Sequence, residues 1–214
     1  MKKRTLQNII RFLLKTLTIT EYVGTENIPV SGGVIFAINH LSYMDTPFML
    51  VNPVRSDITA LVTNKYEDRA LISWFTDTAE GIWIDRDIAD FSAIRKASAV
   101  LKKGMALGIA PEGTRSKTGE MQQAKPGTIM LAMKSGAPIL PIGITGTETA
   151  FDDLKHFRRP KLKAVFGKPF TVPEFEPGKR SEGLEIWTEK LMVRIAELLP
   201  PAYRGYYRGH VEGD

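Results

Sequence analysis

Short apolar runs and helical stretches alternate along most of this chain, and that rhythm restricts the fold more than any other feature. Apolar runs stand at residues 34–38, 58–62, 82–84, 105–110 and 139–144, each of strand rather than helix length. Between them, residues 70–77 carry Leu71, Ile72, Trp74 and Phe75, and residues 91–103 carry Ile94, Ala97, Val100 and Leu101 at helical spacing. Residues 127–134 read as another helix, 21–23 as a short strand and 161–166 as an edge strand. Residues 184–199 form a last amphipathic helix, stopped by Pro200-Pro201. Strand, helix, strand in repetition predicts an α/β fold, a single domain with a mixed, largely parallel sheet flanked by helices. Ligands of such sheets gather beyond the carboxyl ends of the strands. His40, Asp85-Arg86 and residues 112–115 all fall just after predicted strands, so one crevice is able to collect them.

At 214 residues the chain is long enough to bury a sizeable core, and 43% hydrophobic with 25% charged residues is the composition of a globular protein. It has no cysteine, which excludes disulfides, a thiol nucleophile, an enzyme-bound thioester and a cysteine-ligated zinc. His40, His156 and His210 are the only histidines and stand far apart, so no metal site is expected.

The net charge of +5 is concentrated at one end: Lys2, Lys3, Arg4, Arg11 and Lys15 all precede the first acid, Glu21. Leu6, Ile9, Ile10, Leu13, Leu14 and Leu17 recur at helical spacing within the same segment, opposite Arg4, Asn8, Arg11 and Lys15. Residues 1–20 therefore read as a basic amphipathic helix that lies on a membrane surface, with docking on the protein's own core as the alternative. Arg11 and Lys15 interrupt the apolar run and no cleavage site follows, so a signal peptide is not expected. Nor does any run of 18 apolar residues predict a transmembrane helix. Residues 201–214, rich in tyrosine, arginine and glycine, read as a frayed C-terminal tail.

Chemistry enters at Asn39-His40-Leu41-Ser42-Tyr43-Met44-Asp45, directly after the run 34–38. An imidazole oriented by a carboxylate is a general base near neutral pH. Residues five apart do not face each other on a straight helix, so His40 and Asp45 meet only if the chain turns between them. Asp45-Thr46-Pro47 supplies that turn, with Asp45 read as a helix N-cap. A second segment, Ala110-Pro111-Glu112-Gly113-Thr114-Arg115-Ser116, follows the run 105–109. Its Arg115 has the planar fork that grips phosphate at two points, and Gly113 permits close approach of the backbone.

This pair of segments resembles the 1-acyl-glycerol-3-phosphate acyltransferase family, whose marks are a His-x4-Asp block and a Phe-Pro-Glu-Gly-Thr-Arg-Ser block. Gly81-Ile82-Trp83-Ile84-Asp85-Arg86 and Ala137-Pro138-Ile139-Leu140-Pro141-Ile142 are similar to two weaker blocks of that family, in the same order, so the likeness spans roughly residues 20–170. Ala110 stands where the family usually has Phe, and Trp83 where a Phe often lies one position along.

The resemblance implies an acyltransferase domain at 21–200, which moves a fatty acyl group from acyl-CoA or acyl-ACP to the free hydroxyl of a lysophospholipid, above all 1-acyl-glycerol-3-phosphate. It implies His40 and Asp45 as the general-base pair and Arg115 with Arg86 on the acceptor phosphate. Glu112, Gly113 and Thr114 would hold the glycerol part, with Asn39 also in the substrate site. The acyl thioester is a cosubstrate, no cofactor is implied, and the enzyme is expected to be peripheral on the cytoplasmic side of a membrane. Acceptors such as a glycolipid, another lysophospholipid or glycerol-3-phosphate remain alternatives. A hydrolase lacks its Gly-x-Ser-x-Gly elbow. A basic nucleic-acid-binding module is the rival of another class, opposed by charge confined to one terminal helix, and no nucleic-acid partner is expected.

Overall fold

Five consecutive apolar residues with no polar alternation form a strand only where both sheet faces are covered. In the computed structural model, which describes residues 1–85 and 90–211, Val34–Ile38 (β2) is such a strand, buried along its whole length. Around it stand β1 (Ile19–Val23), β3 (Ile58–Thr63), β4 (Ile82–Ile84), β5 (Ala106–Ile109), β6 (Ile139–Thr145) and β7 (Lys161–Phe166). The helices are α1 (Lys3–Leu17), α2 (Asp45–Leu50), α3 (Ala70–Thr78), α4 (Phe91–Lys102), α5 (Gly127–Ser135), α6 (Ala150–Lys155) and α7 (Arg180–Glu197).

The seven strands form one sheet in the order β1-β7-β6-β2-β5-β3-β4. Among the described residues neighbours run parallel except β6 and β7, so the sheet is mixed and largely parallel. In register, Val34 lies opposite Ala106 and Ile35 opposite Ile139, which brings the carboxyl ends of β2, β5 and β6 side by side. One face is covered by α1, α2 and apolar residues of α3 and α6, the other by α4, α5, α7 and the C-terminal segment.

At the opposite end of the strands a buried guanidinium joins the loops that enter β2, β3 and β5. Arg55, 2% exposed, donates to both carboxylate oxygens of Asp57 (2.7 and 2.8 Å) and to the carbonyls of Pro29, Gly32 and Gly104. Its hydrogen bond holds the Asp57 carboxyl below the usual range even though partial burial opposes this.

Three expectations change. Residues 161–166 are not an edge strand: β7 lies between β6 and β1, with Leu162, Ala164 and Phe166 buried. The exposed Lys161 and buried Leu162, Ala164 and Phe166 show an alternation that reports a half-buried face and not an edge. The true edge at that side is β1, whose residues are mostly exposed.

The apolar residues of α1 do not form a single lipid-facing stripe. Leu6, Ile10 and Leu14, one row at a spacing of four, are buried in the core, and the Gln7 amide donates to the carbonyls of Leu50 and Ser56. Ile9, Phe12, Leu13 and Leu17 remain exposed.

The C-terminal stretch does not fray within its described part. Tyr207 is 1% exposed, and Tyr203 and Tyr206 exchange backbone hydrogen bonds with Met121.

Candidate active site

Asn39 directly follows β2, and its side chain is spent on the neighbouring strand. The amide donates to the Ile144 carbonyl (2.9 Å) and its oxygen accepts from the Ile144 N–H (2.7 Å), a two-point pin that locks the end of β2 to β6. It is fully buried, with both polar atoms of its amide engaged by Ile144, a contact that positions the strand end next to His40.

His40 follows, and the five-residue span to Asp45 closes into a ring. Asp45 Oδ2 accepts from His40 Nδ1 at 2.8 Å and from the N–H groups of Leu41 (2.8 Å) and Ser42 (2.9 Å). Its Oδ1 accepts from the hydroxyl of Thr147. The carboxylate is fully buried, with four donors around it. Asp45 is therefore not an N-cap. It is the first residue of α2, and its side chain turns back to the 40–42 loop, because that loop presents three donors to it. A carboxylate only accepts, so Nδ1 carries the hydrogen, and the neutral tautomer this contact selects is the one with its lone pair on Nε2, the form a general base requires.

Thr147 went unnoticed in the sequence reading, although it stands just past the strand 139–144, where functional side chains were expected. Gly146 positions it. Its φ is +81°, and a Cβ there would lie 1.9 Å from the Lys161 carbonyl oxygen, so only glycine makes this turn. Ser42 completes the loop, donating from its hydroxyl to the Thr147 carbonyl and accepting from the Met44 N–H.

The second motif is fastened onto the first. Glu112, 3% exposed, accepts from the His40 N–H through Oε1 (3.1 Å) and from the Gln122 N–H through Oε2 (2.9 Å), while Ser116 N–H donates to the His40 carbonyl (2.8 Å). Gly113, at φ +72°, turns the chain between them in a conformation side chains disfavour. Glu112 thus clamps the 40–42 loop. Burial pushes its carboxyl up to about 7, with the charge of Asp45 adding to the rise and the N–H donors opposing it.

Since the folded state binds this proton more tightly than the unfolded chain, where the value is 4.5, the group's contribution is complete below pH 4.5 and is lost as pH rises through 7. Thermal melts between pH 5 and 8 should show the wild type losing stability relative to Glu112→Gln as pH rises. Parallel curves would count against a buried, proton-holding Glu112.

Arg115 packs its guanidinium 3.6 Å above the centre of the Tyr43 ring and donates from Nη2 to the Tyr66 hydroxyl at 2.8 Å. Tyr43 and Tyr66 meet edge to face, so the two rings fix the plane of the fork. Tyr66, on the turn after β3, is another residue that sequence reasoning missed. Thr114, the preceding residue, is exposed. Arg86 lies outside the described residues.

A half-buried imidazole oriented by a buried carboxylate, at the carboxyl end of a central strand and clamped to a loop that displays an arginine, has the geometry to take up a proton beside an anion-pairing group. The model of the Acyltransferase family matches residues 19–145, and the chain belongs to that family and is an O-acyltransferase.

Among its relatives, the 1-acyl-sn-glycerol-3-phosphate acyltransferase of Bacillus subtilis is 26% identical over 191 residues, covering 89% of this chain and 94% of the relative. That of Borreliella burgdorferi is 31% identical over 130 residues, 60% of this chain and 52% of the relative. The crystal structure of the 1-acyl-sn-glycerophosphate acyltransferase PlsC from Thermotoga maritima superposes with a TM-score of 0.71 at 25% identity, covering 92% of this chain and 78% of that one.

Proposed function

We propose that the protein acylates the free hydroxyl of 1-acyl-glycerol-3-phosphate, with acyl-CoA or acyl-ACP as donor, to give phosphatidic acid. The observation that carries this reading is the 2.8 Å contact between His40 Nδ1 and a fully buried, four-donor Asp45. His40 Nε2 takes the proton of the acceptor hydroxyl as its oxygen attacks the thioester carbonyl. Asp45 stabilises the imidazolium that results. When the tetrahedral adduct collapses, the C–S bond breaks and the thiolate leaves with the proton from His40. No acyl-enzyme forms. The names of the relatives support the acceptor, and the held plane of Arg115 supports its use on the phosphate.

The decisive experiment is to incubate the full chain with a panel of acyl thioesters and lysophospholipids and identify products by mass spectrometry. Phosphatidic acid as the dominant product confirms the reading, and preference for another headgroup replaces it. Arg115→Lys keeps the charge but loses both the two-point grip and the stacked plane. The acceptor KM should rise about tenfold while the donor KM stays within twofold, roughly the value of one charge-assisted hydrogen bond. An effect confined to the donor would remove Arg115 from the phosphate.

Peripheral attachment to the cytoplasmic side of a membrane belongs to the same proposal. Among the described residues no helix is long and apolar enough to cross a bilayer, and α1 presents Ile9, Phe12, Leu13 and Leu17 outward beside its basic face. Because Leu6, Ile10 and Leu14 belong to the core, removing residues 1–20 would damage the fold. Attachment is better probed at the outward residues.

A further inference from the structure

Large apolar side chains are left in solvent on α1 and on the segment fastened to its carboxyl end. Besides Phe12, Leu13 and Leu17, Phe151 in the first turn of α6 and Phe157 in the α6–β7 turn are exposed. Phe157 is 99% exposed and sits at φ +56°, a left-handed conformation that an L side chain adopts at a cost. The turn is nonetheless closed and held: Phe157 N–H donates to the Leu154 carbonyl (3.1 Å), Arg158 N–H to the Asp153 carbonyl (2.9 Å), and the Arg158 guanidinium pairs with Asp153 at 3.0 Å. A rigid turn that holds a phenyl ring in water against its backbone preference has no account in the core, since Ala150 and Leu154 make the contacts of α6 with it.

Two further observations orient the turn. Arg159 donates to the carbonyls of Lys15 (3.1 Å) and Thr18 (2.7 Å), and Ile19 N–H donates to the Pro160 carbonyl, which fastens the turn to the end of α1. Because β7 runs antiparallel to β6, the turn that enters β7 stands at the same end of the sheet as Thr147 and the 40–45 loop. Lys15, Lys155, Arg158 and Arg159 are exposed around it, against Asp152 and the partly buried Asp153. An apolar tip ringed mainly by cations complements an anionic lipid surface.

We propose that the α6–β7 turn is an interfacial anchor, which inserts the Phe157 ring into an anionic bilayer alongside the outward residues of α1 and so seats the active-site end of the sheet on the membrane. The inference rests on the reading of the acceptor as a membrane lipid.

Asparagine tolerates the left-handed conformation better than phenylalanine, so Phe157→Asn separates docking from folding. The full-length variant should melt at the wild-type temperature or above. Its partition onto phosphatidylglycerol-containing vesicles should fall about tenfold, the share of a buried phenyl ring that an interface realises. Turnover of a vesicle-embedded lysolipid should fall with it, and turnover of a short, monomeric lysolipid should not. Phe157→Trp should retain partition and show a blue-shifted emission on vesicles.

Unchanged partition of Phe157→Asn overturns the anchor. So does a change of oligomeric state with partition unchanged, which assigns the patch to a second copy of the chain. If wild-type protein fails to acylate even the short lysolipid, the acceptor reading falls, while the vesicle result still decides the anchor.

Discussion

His40→Ala should lower kcat by roughly a hundred- to ten-thousand-fold, the contribution of a positioned general base, and leave the acceptor KM within about threefold. The substitution is clean for structural reasons. The His40 backbone is held by Glu112 and Ser116 through its N–H and carbonyl, neither of which the mutation touches. Asp45 would keep the Leu41 and Ser42 N–H groups and the Thr147 hydroxyl as partners, so no buried acceptor is orphaned. Melting temperature and circular dichroism should therefore match the wild type. Wild-type turnover in such a folded variant would remove His40 from the chemistry, and a rise in acceptor KM alone would make it a binding residue.

Asp45→Asn should cost about tenfold to a thousandfold in kcat, less than loss of the imidazole but far more than any surface change. The amide oxygen is able to accept from His40, Leu41 and Ser42 where Oδ2 did, and the Thr147 hydroxyl is free to rotate and accept from the new amide. Geometry survives, but the negative charge that favours the imidazolium is lost. The signature is a fall in kcat with little change in either KM. Thr147→Val makes the complementary test, since it leaves the carboxylate charged but removes one of its donors. It should produce a smaller fall in kcat, together with some loss of stability from the unmet buried acceptor. If Asp45→Asn retained full activity, the carboxylate would be a scaffold for the 40–42 loop and nothing more.

How far the chain could be read before folding differs from residue to residue. The alternation of apolar runs and helical stretches is a local, periodic property, and β2, β5 and β6 emerge within a residue or so of the expected limits. His40 and Asp45 are recognisable as partners because only four residues separate them and a turn-forming Asp45-Thr46-Pro47 begins at the second of them. Glu112 and Asn39 were recognisable as important but assigned to the ligand. Nothing local shows that one clamps the His40 backbone from 72 positions away and the other pins Ile144 from 105.

Hydrophobic periodicity and motif order are carried by the chain itself, since they depend on neighbours a few positions apart. They define an α/β sheet, its reactive residues and the strand ends that bear them. Which sector of α1 faces inward, whether residues 161–166 lie at an edge, and which donors surround Asp45 depend on strand order and on close packing between distant segments. An apolar row on a helix reports that something will cover it, and tertiary structure alone decided that the row of Leu6, Ile10 and Leu14 would meet the core while Phe12 and Leu13 stayed outside. Likewise Thr147 reaches Asp45 across 102 positions only because β2 and β6 lie side by side with their carboxyl ends together.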